Sequence, residues 1–301
     1  CMVVCSAESA LQLTIPPEEL KKRTFKIDYS TEVSSEKLID ILNKTTEFFK
    51  KNGVPNPKLD AQYILAHGLN MKRMELYLNF DRPLSEEELI LLRPMVARRA
   101  KREPLQHIIG NTSFRGHEIQ CDKRALIPRP ETEMLVDMLK ERISLDESLH
   151  LHIADIGTGS GAIAIALAKE ISNVKVFASD ISTDALELAK INAENNACLE
   201  TLSFYEGSLL NALPQDAFPL HALVANLPYI PEKDKSSLQP EVCFDPELAL
   251  FAGDDGLLLI RELLVQLKGK IVANAPILLE IASGQEIILE EEAKNYSHLE
   301  W

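Results

Sequence analysis

The hydrophobic and polar positions fall into two regimes along the chain. From about residue 34 to residue 110, apolar positions recur every three or four residues, the period of an amphipathic helix. Leu38, Ile41, Leu42, Thr45, Phe48 and Phe49 form one such stripe, and Gly53 with Pro55 ends it. Pro57 opens a second helix carrying Leu59, Tyr63, Ile64 and His67, closed by Gly68. Ser85 and Glu88 have capping-box spacing ahead of a third helix. Pro94 inside that stretch is expected to kink or divide it, and Pro104 to end it.

From residue 150 to 290 the pattern alternates. Short apolar runs at 151–156, 174–179, 202–206, 221–225 and 277–281 read as buried strands, with helical segments at 161–171, 183–195 and 255–268. Strands alternating with helices predict an α/β fold, a mostly parallel sheet with helices on both faces. The polar stretch 111–130 reads as a linker or hairpin where two domains meet. The expected organisation is an extension over 1–33, a small helical domain over 34–110, the linker over 111–130 and a catalytic domain over 131–301.

Composition narrows the function. The 301 residues, 46% hydrophobic and 26% charged, suit a globular protein with room for two domains. A net charge of −14 argues against general nucleic-acid binding, since phosphate contacts dominate that affinity. The five cysteines (1, 5, 121, 198, 243) show no CxxC pair, and the seven histidines no ligand spacing, so no metal site is expected. Reduced, scattered thiols and the lack of any apolar run near 18 residues point to a cytoplasmic protein with no membrane partner.

Three of only 12 glycines stand at 157, 159 and 161, in HIADIGTGSGAIAIALA. A strand runs into a glycine loop and then a helix start, where free N–H groups and close backbone approach can hold a ligand. Asp180 ends the next strand about 20 residues on, where this architecture sets a carboxylate against ribose hydroxyls. The spacing is GxGxG, with Asp155 just before the loop, rather than the GxGxxG of a dinucleotide site. It favours S-adenosylmethionine over a nicotinamide dinucleotide, with a ligand-free tight turn as the remaining alternative.

The strand at 221–225 exits into Asn226-Leu227-Pro228-Tyr229, and ligands of open α/β sheets sit outside such carboxyl ends. The Asn226 side-chain carbonyl and the Leu227 backbone carbonyl can each accept one N–H of a planar NH2 group. That fixes the nitrogen in line for methyl transfer and raises its electron density. Pro228 stiffens the turn, and the Tyr229 ring can stack on a flat substrate.

With these motifs in order, the chain resembles the bacterial peptide chain release factor N5-glutamine methyltransferases (PrmC/HemK). The likeness spans about residues 35–290 and includes RRAKREPLQHIIGNTSF (98–114), LIPRPETE (126–133), the glycine loop, SDISTDALELAKINAENN, NLPYIP, DPELALFAGDDGL (245–257) and LLEIASGQ (278–285). It implies a Rossmann-like methyltransferase domain behind a helical substrate-docking domain. The implied cofactor, S-adenosylmethionine, would lie against Asp155, Gly157, Thr158, Gly159, Ser160, Gly161, Asp180, Leu209 and Asn226. Asn226, Leu227, Pro228 and Tyr229 would hold the glutamine of the Gly-Gly-Gln loop of class I release factors, giving N5-methylglutamine.

Arg129 and Glu131 are read either as ordering the loop over the cofactor or as a salt-bridged linker. Three positions depart from the family pattern. Leu227 stands where a proline is usual, a form shared with rRNA adenine dimethylases. Ser208 stands where an acidic residue is common. The sequence given stops at Trp301, where relatives continue into a final strand pair whose loss would leave a sheet edge open. A nucleic-acid adenine methyltransferase and a catalytically inactive relative are the alternative readings.

Overall fold

The computed structural model describes residues 36–143 and 150–296. The expected extension over 1–33 and the residues near Trp301 lie outside them. The alternating half forms a five-stranded parallel sheet in the order β5-β4-β3-β6-β7. Its strands are β3 (Leu151–Ile156), β4 (Val174–Asp180), β5 (Leu202–Glu206), β6 (Ala222–Ala225) and β7 (Ile277–Leu279). β3, β4 and β6 are buried on both faces and carry no polar alternation, which is why they read as plain apolar runs, while the edge strands β5 and β7 are only partly buried. Alternate β3 residues enter opposite cores. Ile153 joins Val176, Val224 and helices α6 (Glu133–Arg142) and α7 (Ala162–Glu170). Ala154 and Ile156 join Phe177, Leu223 and helix α9 (Leu258–Gln266). Helix α8 (Thr183–Asn195) lies beside α7, and α10 (Gln285–Ala293) follows β7.

The strand order places the site. From β3 the chain steps outward to β4 and β5, then returns to lay β6 on the other side of β3. The loops leaving β3 and β6 therefore diverge at the switch point, and a crevice opens between them.

The first half has its own core. Helices α1 (Leu38–Lys51), α2 (Pro57–Gly68), α3 (Arg73–Leu78), α4 (Glu86–Ala100) and α5 (Leu105–Ile109) enclose Leu38, Phe49, Ile64, Leu65, Leu84 and Leu92. Ser85 caps α4 as its spacing predicts, and Glu88 returns a bond to the Ser85 N–H at 2.9 Å. Pro94 lies inside α4 without dividing it, and both Pro94 and Ile90, whose carbonyl it leaves without a helix N–H, are on the exposed face. In α2, Leu59, Tyr63 and His67 face outward and only Ile64 of the four is buried. The inward face is Asp60, Ala61, Ile64 and Leu65, because Asp60 meets the buried Arg99 at 2.7 Å.

The stretch 111–130 is a hairpin, β1 (Asn111–Phe114) against β2 (His117–Gln120), followed by an extended run. The hairpin packs into the catalytic core: Phe114 and Ile119 lie among α6 and α7 residues, and Asn192 of α8 bonds both backbone polar groups of Gln120. Across the junction, Arg99 and Arg102 converge on Glu241, with Arg102 bidentate at 2.6 Å on each oxygen. Among the described residues no helix is long and apolar enough to cross a membrane, and no cluster of His, Cys, Asp and Glu is placed to hold a metal.

Candidate active site

A cavity of about 190 Å³ occupies the crevice between the β3 and β6 exits. Gly157, Thr158, Gly159 and Ser160 form one wall, and Asn226, Leu227 and Pro228 another. Asp180 and Ile181 close the β4 side, with Ser208 and Leu209 beyond β5. Leu126, Pro128, Arg129 and Thr132 come from the segment before α6, and Pro246, Leu248 and Ala249 from the segment after Asp245.

The glycine loop turns on left-handed backbone. Gly157 and Gly159 have φ of +73° and +55°, a region that favours glycine. Space matters at Gly157 as well, because a Cβ there would lie 2.9 Å from the Leu227 side chain. Asp180 holds the loop by accepting from Gly159 N on one oxygen and Ser182 N on the other, each at 2.9 Å. Each oxygen keeps a lone pair for a ligand. Burial raises the Asp180 carboxyl, and the N–H bonds oppose that rise.

Two of the residues expected at the cofactor lie outside the cavity. Asp155 is fully buried beneath the loop, where Oδ2 accepts from Thr158 Oγ1 at 2.6 Å and from Ala164 N at 3.1 Å. Burial pushes its carboxyl up to about 7. Gly161 begins α7 at φ +83°, and a Cβ on it would meet Ala189 of α8 at 3.1 Å, so it sets helix packing. Leu209 lines the cavity in the left-handed region at φ +52°, with its carbonyl accepting from Ser179 Oγ at 3.2 Å.

Asn226 Nδ2 donates to Thr132 Oγ1 at 3.2 Å, and the Thr132 hydroxyl donates to Glu280 Oε2 at 2.7 Å. Tyr229 Oη donates to the other Glu280 oxygen at 3.1 Å. These bonds leave Asn226 Oδ1 and the Leu227 carbonyl without a partner among the described residues. Burial, then the Glu280 charge, pushes the Tyr229 hydroxyl up to about 12, so it remains a donor. Tyr229 itself is not part of the cavity wall.

Behind the turn, Gln285 Nε2 bonds the carbonyls of Tyr229 and Asp255, each at 2.9 Å. Arg129, expected either to order the loop or to lie in a linker pair, forms an ion pair. It meets the buried Asp245 at 2.7 Å and lines the cavity. Asp245 also accepts from Ile127 N at 3.3 Å, and burial raises its carboxyl against the pull of Arg129.

Thr132, Glu280, Asp245 and Gln285 have no chemical spacing that marks them individually. Their signal in the sequence is that each lies inside a family segment, LIPRPETE, LLEIASGQ or DPELALFAGDDGL.

The doubly covered parallel sheet, with a glycine cradle and an Asn-Leu-Pro-Tyr turn meeting at its switch point, defines a Rossmann-like methyltransferase. Comparison with known proteins agrees. A model described as the PrmC N-terminal domain matches residues 40–110, and one described as the methyltransferase small domain matches residues 130–241. The release factor glutamine methyltransferase of Geobacter sulfurreducens is 42% identical over 218 residues, 72% of this chain and 74% of that protein. Proteins of the same name from Chlorobaculum tepidum and Deinococcus radiodurans are 40% and 37% identical, covering 71% and 81% of this chain and 75% and 85% of their own lengths. The chain belongs to the release factor glutamine methyltransferase family. Among solved structures, the hMettl16 catalytic domain in complex with MAT2A 3'UTR hairpin 6 is 17% identical, with a TM-score of 0.49 over 67% of this chain and 73% of that one.

Proposed function

We propose that this protein moves a methyl group from S-adenosylmethionine to the side-chain amide nitrogen of the glutamine in the Gly-Gly-Gln loop of class I release factors. The observation that carries the reading is the pair of acceptors without a partner among the described residues, Asn226 Oδ1 and the Leu227 carbonyl, on the wall facing the glycine cradle.

The residues present fit the cofactor. Gly157 and Gly159 make a wall that any Cβ would narrow, and Asp180 keeps lone pairs for two ribose hydroxyls. Ile181 and Leu209 offer apolar walls for the base. When bound, the cofactor supplies a methyl group made electrophilic by a sulfonium sulfur.

The rest falls to the chain. An amide nitrogen is a weak nucleophile because its lone pair is shared with the carbonyl. Asn226 and Leu227 accept its two N–H groups, which fixes the nitrogen and pushes electron density onto it. Held between Asn226 Oδ1 and the Leu227 carbonyl, the nitrogen lone pair would take a methyl group supplied there, the C–S bonding pair being left on sulfur. The extra N–H proton, now acidic, passes to water. Asp155 supports the loop from below, Gly161 supports it through helix packing, and Tyr229 closes the turn through Glu280. The helical domain, tied to the catalytic half through Glu241, serves as the docking module.

The test uses methyl-labelled S-adenosylmethionine and an unmodified release factor, with the Gly-Gly-Gln peptide read by mass spectrometry. One added methyl on that glutamine is expected. Intact cofactor binding with no methyl there, and methyl on RNA or DNA adenine instead, would replace this substrate with a nucleic acid.

A further inference from the structure

We propose that Glu280, acting through the Thr132 hydroxyl, dictates which end of the Asn226 amide faces the substrate. This rests on the reading of Asn226 as an acceptor given above, and it adds two positioning residues to that site.

Proton ownership runs along the network in one direction. A carboxylate has no proton to give. Glu280 takes the Thr132 hydroxyl proton on Oε2 at 2.7 Å and the Tyr229 hydroxyl proton on Oε1 at 3.1 Å. Thr132 owns one hydroxyl proton, and it is committed, so toward Asn226 it offers only lone pairs. The atom facing those lone pairs at 3.2 Å must be a donor, and that is Nδ2. The amide is planar, so Oδ1 is left to the cleft that Asn226 lines. A flipped amide would set Oδ1 against a Thr132 lone pair and present NH2 to the incoming NH2. Thr132 is 4% exposed, so water is poorly placed to substitute for it.

The three residues come from distant parts of the chain. Thr132 ends the short turn before α6, and Glu280 follows β7. The Glu280 N–H bonds the Ala225 carbonyl at 3.0 Å, which holds the carboxylate beside the β6 exit. The consequence is selectivity between isosteres. A cleft presenting Asn226 Oδ1 and the Leu227 carbonyl accepts a glutamine NH2 and repels the carboxylate oxygen of glutamate.

Three full-length variants test this: Thr132→Val, Thr132→Ser and Glu280→Gln. Two readouts are taken on each. The first is the 15N–1H signal pair of the Asn226 side-chain amide in the cofactor-free protein. The second is kcat and KM on an unmodified release factor, with S-adenosylmethionine affinity from calorimetry as the folding control. Thr132→Val and Glu280→Gln are expected to move the Asn226 signals and to lower kcat about 10- to 100-fold, with cofactor affinity held within about twofold. Thr132→Ser keeps the hydroxyl and recovers most of both. The inference is overturned if Thr132→Val leaves the Asn226 signals in place, or if Thr132→Ser is as impaired as Thr132→Val. If the wild-type protein leaves the glutamine unmethylated while Thr132→Val still moves the amide signals, the substrate reading fails and the Glu280–Thr132–Asn226 relation stands.

Discussion

Replacing Gly256 by alanine tests whether the Asn226–Tyr229 turn is held from behind. Gly256 has φ +78°, and a Cβ there would lie 2.0 Å from the Tyr229 carbonyl oxygen and 2.7 Å from Gln285 Nε2. The first neighbour is backbone and has no rotamer by which to retreat. Relief requires the Tyr229 carbonyl to move by about 1 Å, which breaks the Gln285 bridge to Tyr229 and Asp255. Alanine in the left-handed region costs about 1 kcal/mol. The two lost hydrogen bonds add about 1 kcal/mol each. The expected destabilisation is about 3 kcal/mol, a fall in melting temperature of roughly 6–12 °C for a domain of this size. A shift of that size at Tyr229 also displaces the acceptors of Asn226 and Leu227, and misplacement by about 1 Å lowers kcat on the order of 100-fold. Thermal melts and steady-state kinetics on Gly256→Ala check both. A melting temperature within about 2 °C of wild type, with kcat unchanged, would refute the reasoning.

Other perturbations probe separate parts of the molecule. Asn226→Ala should lower kcat by at least about 100-fold and leave cofactor affinity within about threefold, since the lost interaction belongs to the transition state; equal losses in both would assign Asn226 to cofactor binding. Asp60→Ala leaves the Arg99 side chain, 5% exposed, with only Glu241 and the Glu103 carbonyl. It should destabilise by about 2–3 kcal/mol in urea, and an unchanged midpoint would count against a structural role for the pair. Arg115 and then Lys140 hold the Glu170 carboxyl down at about 2, below its ordinary 4.5. A depressed carboxyl contributes stability above pH 4.5 that is lost as pH falls toward 2. Wild type should therefore exceed Glu170→Gln in urea stability at pH 7, with the gap closing between pH 4.5 and 2; a gap independent of pH would contradict the ion pair.

Much of the catalytic half was legible in the sequence. Five strands of three to seven residues, with β3, β4 and β6 almost wholly buried and the edge strands β5 and β7 only partly so, announce themselves without tertiary information. The glycine loop and Asp180 were legible because a tight turn with close ligand approach restricts residue type. The cap at Ser85 was legible because it satisfies backbone groups locally, whereas α2 runs through Gly68 and its left-handed turn falls on Asn70 at φ +52°. The helical half was less so. Leu59 and Tyr63 look as apolar as Ile64 and Leu65, and only packing around the Asp60–Arg99 pair decides which face turns inward.

What the sequence determined by itself, then, was set by short range: strand and helix period, caps, the glycine cradle, and the family order of motifs. Folding settled the rest through contacts between residues far apart in the chain. It moved Asp155 and Gly161 from the ligand wall to positions beneath and behind it. It brought Thr132 to Asn226 across 94 positions and to Glu280 across 148. Neither threonine nor glutamate has a local pattern that marks such a partnership. A hydrogen-bond network buried at a switch point is specified by strand order and register, which place its members together only after the whole sheet has formed.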